Sequence, residues 1–329
     1  MEKITRWGIL STAKIARNAM IPALKESTMA EVTAVASRDG DHARTFADAL
    51  GIPKAYQGYE ALLADTEIDA VYIPLPNHLH KEWTVRAAQA GKHILCEKPL
   101  ALNTTECEEM ITAAANSGVA LMEAFMYRYH PRILAARGMV HEGVVGTLKT
   151  IESAFTFKLT DPTNIRMSAD MGGGALMDVG CYCVNLSRLM AGREPVAVHA
   201  RAHWAPTGVD DQMVGILDFG DGLMAHFDCG INQESRQRCI LAGSDGYLEL
   251  PTTFNMGVRE TLIHEEQGAN VSLVHTFPAV NMYRLIAEDF MQAITGQPPA
   301  FPIEDALGNM RTIQALLASA RQNGHPIAP

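Results

Sequence analysis

Short apolar runs alternate with amphipathic helical stretches through the first third of this chain, and few folds accept that order. Residues 7–10 form an apolar run. A helix follows from about 13 to 24, with Ile15, Ala16, Ala19 and Met20 on one stripe. Residues 32–36 are the second strand, and Asp39 or Asp41 then caps a helix that stops at Gly51. Residues 70–73 are another strand, ended by Pro74 and Pro76, and a helix through Trp83, Val85 and Ala88 stops at Gly91. The strand 93–96 comes next. Asn103 with Glu106 reads as a capping box for the following helix, and residues 119–122 close this half. Repeated strand–helix units with short connections predict a parallel, doubly wound sheet.

The second part has another pattern. Helices are expected around 131–140, ending near Gly143, and from about Gly180 to Met190, stopping at Gly192. Residues 213–219 and 223–229 flank Phe219-Gly220-Asp221-Gly222, a hairpin signal. Residues 247–250 follow a second Asp-Gly turn, 261–264 and 271–277 continue the alternation, and helices over 283–294 and 303–321 finish the chain. This predicts an α+β domain with a large, mostly antiparallel open sheet. At 329 residues the chain exceeds what one core usually holds. The expected division is 1–122 and 123–329.

Acidic residues outnumber basic ones, 37 against 27, for a formal charge of −10. That balance argues against a nucleic-acid or anionic-membrane surface. No apolar run reaches the length of a membrane span. Residues 1–6 lead into a strand without an apolar leader, and the six cysteines match neither a zinc ribbon nor a CxxC pair. A reducing, cytoplasmic location is expected.

The first strand–helix turn is Ser11-Thr12-Ala13-Lys14-Ile15-Ala16. A dinucleotide-binding turn carries glycines at the first and third places and glycine or alanine at the sixth. Here only Ala16 keeps the pattern, but small residues still let a pyrophosphate approach, and the helix N-terminus still offers free amides. A plain tight turn is the alternative. At the end of the second strand, NAD sites usually place an acid that binds the ribose 2′-hydroxyl. This chain has Ser37-Arg38, which suits a 2′-phosphate, so NADP(H) is expected over NAD(H). Pro74, Asn77 and His80 sit in the third crossover and are expected toward the nicotinamide end. His78-Leu79-His80 lacks further ligands nearby, and no metal is expected.

Cys96-Glu97-Lys98-Pro99 ends the strand 93–96. Doubly wound folds keep their chemistry at such strand ends. Burying the ammonium of Lys98 there is costly unless a partner or a task holds it. Pro99 removes a backbone donor and favours a defined bend. A Lys-Pro turn at a surface strand end is the bland alternative. The glycine run Gly172-Gly173-Gly174 permits close backbone approach, and it precedes Asp178 and Tyr182, four apart and so on one helix face. A carboxylate beside a phenol suggests acid–base chemistry or hydroxyl binding. Asp178 as a helix cap, with Tyr182 in the core, is the alternative.

Together Glu97-Lys98-Pro99, the glycine run before Asp178 and the place of Tyr182 resemble the glucose–fructose oxidoreductase / inositol dehydrogenase / rhizopine catabolism (Gfo/Idh/MocA) family, over essentially the whole chain. Residues 122–128 and 178–182 look most like the branch that holds dimeric dihydrodiol dehydrogenases and NADP-dependent D-xylose 1-dehydrogenases. Ser11-Thr12-Ala13 departs from the family's commoner glycine-rich turn.

The resemblance implies a Rossmann dinucleotide-binding domain over 1–122 and a substrate-binding and oligomerisation domain over 123–329. It implies that Ser11, Thr12, Ala13, Lys14, Ile15, Ser37, Arg38, Pro74, Asn77, His80, Glu97 and Lys98 serve NADP(H). Lys98 would hold the nicotinamide ribose and the reacting oxygen, Tyr182 would be the general acid–base, and Asp178 would orient the substrate. Tyr127 and Arg166 are secondary candidates for the substrate pocket, with Arg166 as a surface residue before the glycine run as the alternative. In the oxidative direction a sugar carbon would lose hydride to nicotinamide C4 and its hydroxyl proton to the base, giving a lactone. Partners implied are a small sugar or polyol and a second copy of the chain, with a tetramer as the larger option. A keto-sugar reductase, acting on anhydrofructose or a 3-keto sugar, is the enzyme alternative. A non-catalytic NADP-binding redox sensor is the alternative of another class.

Overall fold

The computed structural model describes residues 4–268 and 271–329. The chain divides into two compact units, one formed by Met1–Met126 with Asn281–Leu307 and the other by Tyr127–Val280 with Gly308–Pro329.

In the first unit, β1 (Thr5–Leu10), β2 (Ala30–Ser37), β3 (Lys54–Gln57), β4 (Ala70–Ile73), β5 (His93–Cys96) and β6 (Leu121–Glu123) make a sheet ordered β3-β2-β1-β4-β5-β6, and every adjacent pair is parallel. The connections carry α1 (Ile21–Glu26), α2 (Gly40–Leu50), α3 (Tyr59–Leu63), α4 (His80–Gln89) and α5 (Thr104–Ser117). The order reverses beside β1, which is where open α/β sheets bind ligands. The expected doubly wound sheet is present.

Local signals act as the residues suggest. Asp39 caps α2 by accepting from the amides of Asp41 and His42, and Gly51 ends that helix in the left-handed region. Asn103 caps α5 through the Glu106 amide at 2.9 Å. The return bond of Glu106 reaches the Leu102 amide rather than that of Asn103, so the expected box closes one residue early. The first helix winds through a π turn, Ala16–Met20, before α1.

β6 runs to Glu123, so the first unit extends past the linear division expected at 122/123. It also takes α8 (Met282–Ile294) from late in the chain. The reason is apolar: Met282, Ile286, Ala287, Phe290 and Met291 are buried, and Phe290 packs on Trp7 of β1 with ring centroids 5.4 Å apart.

The second unit holds α6 (Pro131–His141) and α7 (Cys181–Ala191), with the start of α9 (Glu304–Arg321) assigned to the first unit. Its strands are β7 (Leu148–Lys158), β8 (Ala197–Trp204), β9 (Asp210–Asp218), β10 (Met224–Gly230), β11 (Asn232–Gly243), β12 (Tyr247–Pro251), β13 (Thr261–Gln267) and β14 (Val271–Phe277). They form one sheet ordered β14-β13-β12-β11-β7-β10-β9-β8. All pairs are antiparallel except β7 with β10, so the sheet is mostly antiparallel as expected. The 219–222 hairpin signal joins β9 to β10.

Side chains alternate across this sheet with a period of two. One face carries Ile151, Ser153 and Phe155 toward α7. The other holds exposed Val214, Ile216 and Met224 beside the ion pairs Arg238–Glu152 and Arg236–Asp228. All six cysteines are buried and unbridged, as small hydrophobes.

Arg132 pins α6 to the far end of the sheet. Its guanidinium donates to the carbonyls of Pro251 (2.7 Å), Thr252 (2.9 Å) and Leu262 (3.2 Å). Burial pushes its pKa down to about 10. Arg132→Met keeps the volume but orphans three carbonyls. It is expected to destabilise the protein by about 2–4 kcal/mol, read as a lower urea midpoint.

Candidate active site

In the first unit the parallel register brings the ends of β1, β2, β4 and β5 to one edge. Leu10 pairs with Ala36, Ile9 with Tyr72, and Ile73 with Cys96. The turns that follow carry Ser11–Ile15, Ser37 and Arg38, Pro74 and Asn77, and Glu97 and Lys98. Eleven of the twelve expected cofactor residues lie in the turns at that edge, and His80 opens α4 with its side chain fully buried.

The β1 turn has the shape of a glycine turn without the glycine: Ser11 sits at φ 145°, where side chains are strained. The helix that follows has no side-chain cap at the start of its π turn. Arg38 lines an open cleft with Asp39, Gly40, Asp41 and Gln57. The Asp39 carboxylate is turned onto the amides of His42 and Asp41, which hold its pKa below the usual range. Its charge is thus partly met by the N-terminus of α2. A guanidinium at the β2 end and a small-residue turn that runs into a helix N-terminus fit a phosphorylated dinucleotide.

The Lys98-Pro99 peptide is cis. Its turn is fixed on both sides. The Glu97 carboxylate accepts from the Tyr72 hydroxyl at 2.5 Å, and the Leu100 amide donates to buried Glu123 at 2.8 Å. His80 is fully buried, with Nδ1 3.0 Å from the Pro99 carbonyl oxygen and Nε2 2.8 Å from that of Leu75. Burial pushes the imidazole pKa down, and the two carbonyls oppose that. The expectation that His80 faces the nicotinamide is corrected: with both nitrogens on backbone, it ties the 74–76 loop to the lysine turn.

In the second unit, helical winding begins earlier than expected, in a π turn at Leu176–Gly180 that leads into α7. The wider i→i+5 winding still leaves positions four apart nearly in line. Asp178 does not cap the helix. Its carboxylate pairs with Arg166 Nε at 2.5 Å, and the guanidinium lies over the Phe157 ring at 5.7 Å. Tyr182 is 6% exposed and packs in an aromatic cluster, with centroids 5.7 Å from Tyr127, 5.4 Å from Phe155 and 5.5 Å from Phe254. The Tyr127 hydroxyl donates to Asn185 at 2.7 Å. The structure therefore brings together Asp178 with Arg166, and Tyr182 with Tyr127.

The glycine run has a physical cause. A Cβ on Gly173 would lie 2.4 Å from the Arg166 carbonyl oxygen, and one on Gly174 would lie 2.3 Å from Asp210 Oδ1, at φ 116°. Asp210, 2% exposed, accepts from the Leu176 amide at 2.7 Å. Sequence reasoning missed Asp210, Phe155 and Phe254. The glycine run signalled a close approach, but nothing near position 210 in the chain names the partner. Among the described residues no cluster of three or more His, Cys, Asp or Glu side chains could hold a metal, and no helix is long and apolar enough to cross a membrane.

Comparison with known proteins agrees with this architecture. Residues 5–125 match the model of the GFO/IDH/MocA oxidoreductase family with its NAD-binding Rossmann fold, and residues 133–249 match the GFO/IDH/MocA C-terminal domain. The chain belongs to this family of oxidoreductases. It is 40% identical to a D-xylose 1-dehydrogenase (NADP(+)) of Haloferax volcanii, over 95% of this chain and 97% of that protein. It is 35% identical to a trans-1,2-dihydrobenzene-1,2-diol dehydrogenase of Xenopus laevis, over 75% of this chain and 76% of that one. The crystal structure of KijD10, a 3-ketoreductase from Actinomadura kijaniata in complex with NADP and TDP-benzene, is similar with a TM-score of 0.90. Identity there is 31%, covering 96% of this chain and 98% of that one.

Burial pushes the Asp210 pKa up to about 7, against the pull of the Leu176 amide. A raised folded-state pKa favours the protonated native form. This contribution to stability is complete below about pH 4 and is lost as pH rises through about 7. Thermal midpoints of the parent should fall over that interval relative to those of Asp210→Asn. Parallel curves would refute the shift.

Proposed function

We propose that this protein is an NADP(H)-dependent oxidoreductase that interconverts C–OH and C=O on a small sugar or related diol, with Lys98, Asp178 and Tyr182 as its reacting groups. One observation carries the reading: four parallel strands end together, and their turns hold Ser11–Ile15, Arg38, Pro74 and Lys98 along one edge. The names of the xylose dehydrogenase and of the 3-ketoreductase complex support NADP(H) as the cofactor.

Ser11, Thr12, Ala13, Lys14 and Ile15 would offer backbone to the pyrophosphate, and Ser37 with Arg38 would take the 2′-phosphate. Pro74, Asn77 and Glu97 would line the nicotinamide end. Bound NADP(H) supplies or accepts the hydride. Lys98 would hold the substrate oxygen as its charge develops. Tyr182 would exchange a proton with that oxygen at its phenolic hydroxyl. Its aromatic surroundings fix the ring and exclude water. Asp178, held by Arg166, would accept a hydrogen bond from a substrate hydroxyl. Arg166 thus acts on the substrate through Asp178, and Tyr127 shapes the pocket wall.

Domain roles follow, with the unit of 1–126 and 281–307 for the cofactor and that of 127–280 and 308–329 for substrate and self-association. The exposed Val214, Ile216 and Met224 support a homodimer through the open sheet face. A cytoplasmic location fits the six unbridged thiols. The similarity to a 3-ketoreductase favours one second reading, a keto-sugar reductase that works mainly in the opposite direction.

Initial rates with NADP⁺ against xylose, glucose and a dihydrodiol, and with NADPH against keto sugars, test the reading. Turnover of at least one aldose or diol is expected. Activity on carbonyl substrates alone would select the reductase, and none in either direction would sink both. Lys98→Ala should lower kcat at least about a hundredfold. Arg38→Ala should raise the Kd of NADPH about tenfold or more and leave that of NADH nearly unchanged. Equal losses would refute the 2′-phosphate role.

A further inference from the structure

The π turn that carries Asp178 begins without a cap of its own, since Ala175 precedes it and offers no side-chain acceptor. Its first amides need a partner. The partner comes from 34 residues further along the chain, at the start of β9. Asp210 Oδ2 accepts from the Leu176 amide at 2.7 Å, while Oδ1 packs where a side chain on Gly174 would stand. Gly173 lies equally tight on the Arg166–Ser168 turn, which in turn holds Asp178. The segment 173–182 is therefore clamped between a buried carboxylate on one side and the arginine turn on the other.

We propose that Asp210 is a positioning residue for the reaction, anchoring the turn that presents Asp178 and Tyr182. The inference rests on the reading above, in which those two groups act on the substrate. Asp210 is buried at 2% exposure, and its carboxylate accepts from the Leu176 amide. Its effect passes through the backbone of 174–176. Misplacement of a reacting group by about 1 Å lowers rates on the order of a hundredfold. The charged and titratable groups around Asp210 are Asp211, which disfavours its ionisation, Arg321, which favours it, and the buried Cys229 thiol. A carboxylate is a stronger acceptor for an amide than a carboxylic acid is, so the hold on Leu176 tightens as Asp210 ionises.

Three variants test this, assayed as full-length purified protein. Asp210→Ala should lower kcat by about 10- to 100-fold, with the Kd of NADPH, measured by fluorescence, within twofold of the parent. Asp210→Asn keeps an oxygen acceptor and should recover kcat to within about fivefold. Its kcat–pH profile should also lose a limb near pH 7 that the parent shows. Asp210→Ala with kcat within twofold of the parent overturns the proposal, and so does a matching loss of NADPH affinity. If Asp210→Ala does not fold, Asp210→Asn decides alone: a pH profile superimposable on the parent's overturns it. Tyr182→Phe runs beside them. If Tyr182→Phe keeps the parent's rate, the catalytic reading itself fails. If it is inactive while the Asp210 variants behave like the parent, only the positioning role fails.

Discussion

Two short turns, one at Lys98 and one at Asp178, depend on their backbone being met by buried side chains from elsewhere in the same unit. Around Lys98, the Pro99 carbonyl faces His80, and the Leu100 amide donates to Glu123. Around Asp178, the Leu176 amide donates to Asp210, and Arg166 holds the carboxylate. A buried backbone group left unmet costs about as much as a lost hydrogen bond, and often more. These anchors meet the irregular and tightly wound backbone at both places.

The same economy explains the buried charge elsewhere. Arg132 gathers three carbonyls at the end of the sheet, and Lys92 donates to the carbonyls of Asp65 and Ile68 at 2.7 and 2.8 Å. In both cases the side-chain hydrogen bonds go to backbone carbonyls. Arg132 meets carbonyls at the ends of β12 and β13, and Lys92 meets those of the loop before β4. Burial lowers the pKa of both, which is the electrostatic side of that task.

Much of the site was legible because its residues follow strands. Ser11, Arg38, Pro74 and Lys98 each come within two residues of the end of an apolar run, and in a parallel sheet all such positions share an edge. What failed to show was any residue whose partner lies far along the chain. His80 read as a polar loop residue near the reacting end, and its complete burial between two carbonyls comes from the fold of the loop around it. Asp210 sits after Gly208-Val209 with no pattern to mark it, and its importance comes from the glycine backbone packed on it. Phe155 and Phe254 carry no local mark of their meeting with Tyr182, whose ring the fold sets edge-on to the first and tilted to the second.

Strands were legible where one face is apolar and illegible where pairing alone defines them. β11 begins Asn232-Gln233-Glu234-Ser235-Arg236, which no hydrophobic pattern marks, yet it is extended where Asn232 and Arg236 pair with β7. β3 is half-exposed and is a strand because β2 offers an edge. The sequence by itself determined the alternating order of the first unit, the hairpins, the helix caps and the turns where chemistry would sit, since these depend on periodicity and on neighbours within a few residues. Tertiary structure alone decided that α8 packs on β1, that His80 is part of the frame, and that Asp210 meets Leu176. Those outcomes depend on which distant surfaces become buried together, and local sequence carries no record of that.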